Sequence, residues 1–188
     1  MNFKQYYKIL NQYASGQCLK GYCERAISKF QARFGTGKIL DIGCGTGDWT
    51  KYLELQGYES IGIDFYDNKK RNDINFIIGD MHNLPFNAYE FDFIFNSGVF
   101  EHTLAPFISI CEMNRILKMN GKVLLIVPHE KNLRCVYMEQ HISCFDIHGL
   151  ANLFNKGKFK ILETEIYDGE DGQHYVLFLE KTGEIKNE

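Results

Sequence analysis

From residue 37 onward, short apolar runs recur along the chain, with stretches of helical spacing between them. Five of these runs are rich in β-branched and aromatic residues and mostly do not alternate: 38–42 (K-I-L-D-I), 59–64 (E-S-I-G-I-D), 74–78 (I-N-F-I-I), 91–96 (F-D-F-I-F-N) and 122–127 (K-V-L-L-I-V). A run that is apolar on both alternating sets has to be covered on both faces, the condition of strands in a parallel sheet flanked by helices. The intervening segments supply those helices. Residues 46–56 carry Trp49, Tyr52 and Leu53 at helical spacing and stop at Gly57, a natural left-handed terminator. Residues 103–119 predict another, with Pro106 tolerated in the first turn and Leu104, Phe107, Ile108, Cys111 and Met113 available for burial.

The last third reads differently. Residues 146–156 look helical and two strand-like runs follow. In 158–166 polar Lys158, Lys160, Glu163 and Glu165 interleave with apolar residues, as on an edge strand. The run H-Y-V-L-F-L within 173–180 is apolar on both sets and predicts a strand covered on both sides. The two form an antiparallel pair, the later strand lying inside the earlier. The pattern therefore predicts an α/β fold: an open, Rossmann-like mixed sheet of about seven strands, its last pair antiparallel, with helices on both faces. Tyr6, Tyr7, Leu10, Tyr13, Ala14, Tyr22, Ala26 and Phe30 give residues 2–34 the look of amphipathic helices packed ahead of the sheet. This divides the chain into helices at 1–36 that form a lid, a sheet domain at 37–182 and a frayed tail at 183–188.

At 188 residues, with 45% hydrophobic and 24% charged positions and only 3 Pro, the chain has the size and composition of one globular domain with its own core. The net charge of −3 lacks the basic footprint of a nucleic-acid binder. The amino terminus M-N-F-K-Q-Y-Y-K-I-L has no apolar signal core, and the longest aliphatic run, 123–127, is far short of the roughly 20 residues that cross a bilayer. Six cysteines, at 18, 23, 44, 111, 135 and 144, include no C-x-x-C pair and suit reduced thiols. The expectation is a cytoplasmic protein that binds neither nucleic acid nor membrane.

The most informative segment is I-L-D-I-G-C-G-T-G-D-W, residues 39–49, which reads as strand, glycine turn, helix. Gly43, Gly45 and Gly47 let the backbone turn tightly and approach a ligand, and the helix amino terminus presents free N–H groups beside it. The dinucleotide fingerprint G-x-G-x-x-G is not met, because the position three after Gly45 is Asp48. An acid in the first helical turn also repels a pyrophosphate. A ligand with an amino-acid end and a sulfonium would instead welcome Asp41, whose carboxylate accepts from an ammonium group.

On these residues D-I-G-C-G-T-G resembles the first motif of the class I S-adenosylmethionine-dependent methyltransferases. Three further segments resemble the family in order. Asp64, 21 positions after Gly43, stands where an acid receives two ribose hydroxyls, with Phe65 following it. F-I-I-G-D-M-H-N-L-P-F, residues 76–86, is similar to the third motif, in which Asp80 would accept from the adenine amino group and the Met81 backbone would meet the ring edge. N-S-G-V-F-E-H, residues 96–102, is similar to the segment lining the cofactor's methionine end, and R-I-L-K-M-N-G-K-V-L-L-I-V-P, residues 115–128, to the helix, turn and strand that follow. The resemblance covers 38–128 and extends more weakly to about 181. It implies S-adenosylmethionine as cofactor, S-adenosylhomocysteine as product, and a cofactor site made of Asp41, Gly43, Cys44, Gly45, Gly47, Asp64, Phe65, Asp80, Met81, Asn96 and Ser97.

The implied reaction is in-line displacement at the sulfonium methyl by an O, N or C atom of the acceptor. Because the cofactor is already activated, positioning supplies most of the catalysis, and a base is needed only for an acceptor that must lose a proton. The candidate bases are His141, then His102; His129 also follows a strand end. His141 lies in a stretch, 139–154, similar to family members that methylate small molecules and carbohydrate or quinone precursors, so the expected partner is a small-molecule acceptor. A homodimer would be one way to complete its pocket, since only 1–37 and 128–145 remain to recognise it. Cys135, His141, Cys144 and His148 are ligand types at C-x5-H-x2-C-x3-H, but lack the opening knuckle of a zinc site, so no metal is expected. The alternatives are a protein or nucleic-acid methyltransferase, a cofactor-binding module without turnover, and a nicotinamide-dependent oxidoreductase.

Overall fold

The computed structural model describes residues 20–132, 141–169 and 172–185. The amino-terminal residues up to 19, with Tyr6, Tyr7, Leu10, Tyr13 and Ala14, and Cys135 lie outside them. Chain order is α1 (Lys20–Phe34), β1 (Lys38–Ile42), α2 (Asp48–Leu55), β2 (Glu59–Asp64), β3 (Phe76–Ile78), β4 (Phe91–Ser97), a 3-10 turn (Phe100–His102), α3 (Pro106–Ile116), β5 (Leu117–Pro128), α4 (Ile147–Lys156), β6 (Phe159–Gly169) and β7 (Gly172–Lys181).

The seven strands form one sheet in the order β3-β2-β1-β4-β5-β7-β6. β1 to β5 are mutually parallel, whereas β7 runs antiparallel to both β5 and β6. The later of the last two strands lies inside the earlier, and both faces of the sheet are covered. Along β7 the alternation sorts the core: Tyr175, Leu177 and Leu179 join α3 and α4 residues such as Ile110, Met113, Leu150 and Phe154 on one face. Val176 and Phe178 join Ala26, Ile27 and Phe30 of α1 and Leu53 of α2 on the other. β6, the outer strand, meets water along its length, and its Glu163 and Glu165 pair with Lys29 of α1.

One helix is shorter than its periodicity predicts. α3 starts at Pro106 because Thr103 is engaged by side chains, its hydroxyl 2.6 Å from His82 Nε2 and 3.0 Å from Ser109 Oγ. It ends at Ile116, where Leu117 pairs with Phe91 of β4 and the chain turns into the sheet. Lys181, 0% exposed at the end of β7, closes that junction by donating to the carbonyls of Asn114 (2.7 Å) and Leu117 (2.9 Å). A cation here satisfies carbonyls that the helix end leaves without partners. The terminator expected after α2 is present, with Gly57 at φ 90°, and Asp146 caps α4 by accepting from the Gly149 amide at 2.6 Å.

Candidate active site

The strand order reverses between β1 and β4: from β1 the chain builds outward through β2 and β3, then returns to add β4 on the other side. In an open α/β sheet, ligands occupy the crevice at the carboxyl ends of the strands flanking such a switch. Here those ends are the glycine turn after β1 and the segment from Ser97 to His102 after β4.

The three glycines of the turn all have positive φ, 76° at Gly43, 52° at Gly45 and 82° at Gly47, but they serve different ends. A Cβ on Gly43 would lie 2.3 Å from Val99 Cγ2, and one on Gly47 would lie 2.3 Å from Ile74 Cδ1. Those two glycines allow the loop to pack against its neighbours. A Cβ on Gly45 would meet nothing within 4 Å. Its bare backbone borders open space, and its amide donates at 2.8 Å to Asp64 Oδ2 at the end of β2. The Asp64 Oδ1 accepts from the Tyr66 amide at 3.2 Å. Burial pushes the Asp64 carboxyl above its ordinary range, against the lowering by these amides. The amides of Gly43 and Cys44 both donate to the Ile63 carbonyl, at 2.8 and 3.1 Å, locking the turn to β2. A glycine with free space beside it and a half-buried carboxylate fixed by that glycine make a cradle that fits a nucleoside with vicinal hydroxyls.

The Asp41 and Cys44 side chains are buried beneath the turn. Asp41 is 2% exposed, and its Oδ2 accepts from the Thr50 hydroxyl at 2.7 Å, pinning α2 to β1. Burial, reinforced by Asp64, raises its carboxyl to about 7. The Cys44 thiol is likewise buried, pushed well above its usual range, and turned under the loop toward β2, where a Cβ on Gly62 would meet it at 2.8 Å. Both side chains hold the loop in place.

Asp80 and Met81 follow β3. Asp80 Oδ1 accepts from the His82 amide at 2.9 Å and lies 2.6 Å from His82 Nδ1, which holds the carboxyl below its ordinary value. Phe65 packs edge to face on Tyr66, and Met81 packs half-buried against the core. Asn96 is 0% exposed; its Nδ2 donates to the Ile42 carbonyl at 3.4 Å, while its Oδ1 has no partner among the described residues. Ser97 Oγ lies 3.5 Å from Cys23 Sγ, so α1 reaches the end of β4.

The two candidate bases converge. His102 closes the 3-10 turn, and the segment carrying His141 is tied to that turn by the amides of Ile142 and Ser143, both donating to the Glu101 carbonyl at 3.1 Å. The imidazoles meet edge to face with centroids 4.8 Å apart. His129 stands elsewhere, buried and stacked on Tyr175 at 4.4 Å. Cys144 and His148 are exposed. His82 was not foreseen as a site residue; only the D-x-H spacing in the third motif pointed to it, and its reach to Thr103 arises in the fold.

The sheet order, the glycine turn and the acid at the end of β2 together define a class I S-adenosylmethionine-dependent methyltransferase. The chain belongs to that family: residues 17–164 match the methyltransferase domain. It is 25% identical to a demethylmenaquinone methyltransferase of Staphylococcus haemolyticus over 97% of this chain and 82% of that one. It is 30% identical to the enzyme of the same name from Staphylococcus aureus, over 84% and 70%. Among solved structures it is similar in fold to a 1,6-didemethyltoxoflavin-N1-methyltransferase of Burkholderia thailandensis, with TM-score 0.77 at 16% identity over 95% of this chain and 88% of that one. No helix among the described residues is long and apolar enough to cross a membrane.

Proposed function

We propose that this protein transfers a methyl group from S-adenosylmethionine to a quinone-type small molecule, in the cytoplasm. Bound S-adenosylmethionine would supply a methyl already activated by its sulfonium. The chain's own residues then have to bind, orient and deprotonate. Asp64 receives the ribose hydroxyls while Gly45 leaves the backbone clear for them. Asp80, steadied by His82, faces the adenine edge together with Met81, and Asn96 and Ser97 border the methionine end.

The observation that carries the acceptor reading is the meeting of His102 and His141 at the lip of the crevice, 4.8 Å apart, beside exposed Leu104 and Ile142. Apolar surface next to two groups able to accept a proton suits a ring that bears a hydroxyl or enol and little charge. The names of the staphylococcal relatives point the same way. α1 would border the site on this side, since it already meets Ser97 through Cys23.

The test is label transfer from methyl-labelled S-adenosylmethionine to a demethylated naphthoquinol of short side chain, run beside a carbohydrate precursor, a protein extract and an RNA extract. Label in the quinol is the expected result. Label confined to any other fraction overturns the acceptor class, and absence of S-adenosylhomocysteine binding overturns the cofactor assignment.

A further inference from the structure

Glu101 is the residue of the acceptor end to which the proposed methyl transfer gives no role, although it stands between the two histidines. It shares the 3-10 turn with His102, is 3% exposed, and its own carbonyl anchors the segment that delivers His141. One carboxylate oxygen and two imidazole nitrogens therefore come together, with all three ligating atoms within 4.8 Å of one another.

We infer that Glu101, His102 and His141 form a binding site for a divalent first-row transition ion. Two imidazoles and a carboxylate are the donor set that zinc and its neighbours take, whereas magnesium and calcium favour oxygen alone. Donors about 2.1 Å from one ion in tetrahedral array lie about 3.4 Å apart. From the present spread of up to 4.8 Å, reaching that spacing takes a closure of at most about 1.4 Å. Three protein ligands leave coordination positions open, which an oxygen of the acceptor could fill. An imidazole whose lone pair is on the ion no longer accepts a proton, so with the ion bound it is the ion that would polarise the acceptor's oxygen, and the histidines act as bases only in its absence. The ion site itself depends neither on which acceptor is used nor on methyl transfer.

The experiment uses the full-length protein stripped of metal. Cobalt(II) alone is titrated while the visible spectrum is followed, and zinc binding is measured by equilibrium dialysis. One equivalent of each is expected, with d–d bands for cobalt. Loss of even an outer partner of a metal ligand costs about 10- to 100-fold in affinity, so His102→Ala and His141→Ala are each expected to weaken binding by more than about 100-fold. His148→Ala should leave it unchanged. Because Glu101 is buried, Glu101→Gln replaces the alanine variant there, and His102→Gln serves should His102→Ala fail to fold; thermal unfolding identifies the folded variants. Wild-type protein that takes up no stoichiometric cobalt or zinc, or uptake indifferent to both histidine substitutions, overturns the site. Failure to bind S-adenosylhomocysteine while the metal response persists counts against the cofactor assignment and leaves the metal site standing.

Discussion

The cofactor end and the acceptor end of the crevice are built in opposite ways. The cofactor end is built around a local turn: seven successive residues, Ile42 to Asp48, make it, and Asp64, the group that the turn itself binds, is delivered by the neighbouring parallel strand paired with β1. The acceptor end is assembled from two segments far apart in the chain, the turn after β4 and the stretch before α4, joined by hydrogen bonds from two amides to one carbonyl. A site made of contiguous residues has little freedom to be wrong. A site made by juxtaposition depends on everything that places the second segment.

The strongest way to test that contrast is inside the turn itself. Gly43→Ala combines a left-handed φ with a Cβ 2.3 Å from Val99, and the strain and overpacking together should cost about 3 kcal/mol or more. Gly45→Ala also carries a positive φ, at about 1 to 2 kcal/mol, but its methyl meets only open space. Thermal unfolding and calorimetric titration with S-adenosylhomocysteine should therefore separate the two: Gly43→Ala loses the fold, whereas Gly45→Ala keeps it and loses binding at least tenfold. Normal binding by Gly45→Ala would mean that the crevice does not lie beside it.

Next in size is a pH effect from the buried Asp41. Its folded-state value, raised to about 7, stands above that of the unfolded chain. Between roughly pH 4 and 7 the folded state keeps a proton that the unfolded state releases, so stability falls as pH rises through that window and is level above it. Asp41→Asn still accepts from Thr50 and has no proton to lose. Its stability relative to wild type should improve by about 2 kcal/mol or more from pH 4.5 to 7.5, measured by urea unfolding. Parallel curves would show that Asp41 titrates normally.

These residues also show where reading the chain stops. Strands β1 and β2 fall at the expected bounds because short β-rich runs between glycines and polar residues define them. The glycine turn, its helix and Asp64 were legible because spacing along the chain is spacing in the site. The burial of Asp41 was not, since whether a strand residue faces ligand or helix depends on Thr50 packing over it. The early end of α3 was hidden too, being set by Lys181 and by the pairing of Leu117 with Phe91. His102 and His141 were each readable as candidates, but that they meet, and bring Glu101 with them, is a property of the fold.

Asp64→Ala tests the distant group that the cofactor end depends on. Removing the carboxylate takes away the partner of the Gly45 amide as well as the acceptor for the ligand hydroxyls. S-adenosylhomocysteine affinity should drop by about 10- to 100-fold, equivalent to about 1.4 to 2.8 kcal/mol, while thermal stability changes less. Unchanged affinity would remove Asp64 from the site.

The smallest effect concerns the link between the two ends. His82 spans them, one ring nitrogen 2.6 Å from Asp80 on the cofactor side and the other 2.6 Å from Thr103, one residue past His102. Two hydrogen bonds of this kind, one to a charged partner, place the loss on His82→Ala at about 1 to 3 kcal/mol of stability. The more telling variant is His82→Asn, whose amide stands close to where Nδ1 was and retains Asp80 but is too short to reach Thr103. If the ends are independent, His82→Asn binds S-adenosylhomocysteine as wild type does and only His82→Ala is weakened. If Thr103 transmits the position of the acceptor turn to Asp80, His82→Asn and Thr103→Val should both weaken cofactor binding by the same few-fold, and the double variant should be no worse than either alone. That non-additivity would mean that the assembled end of the crevice steadies the local one.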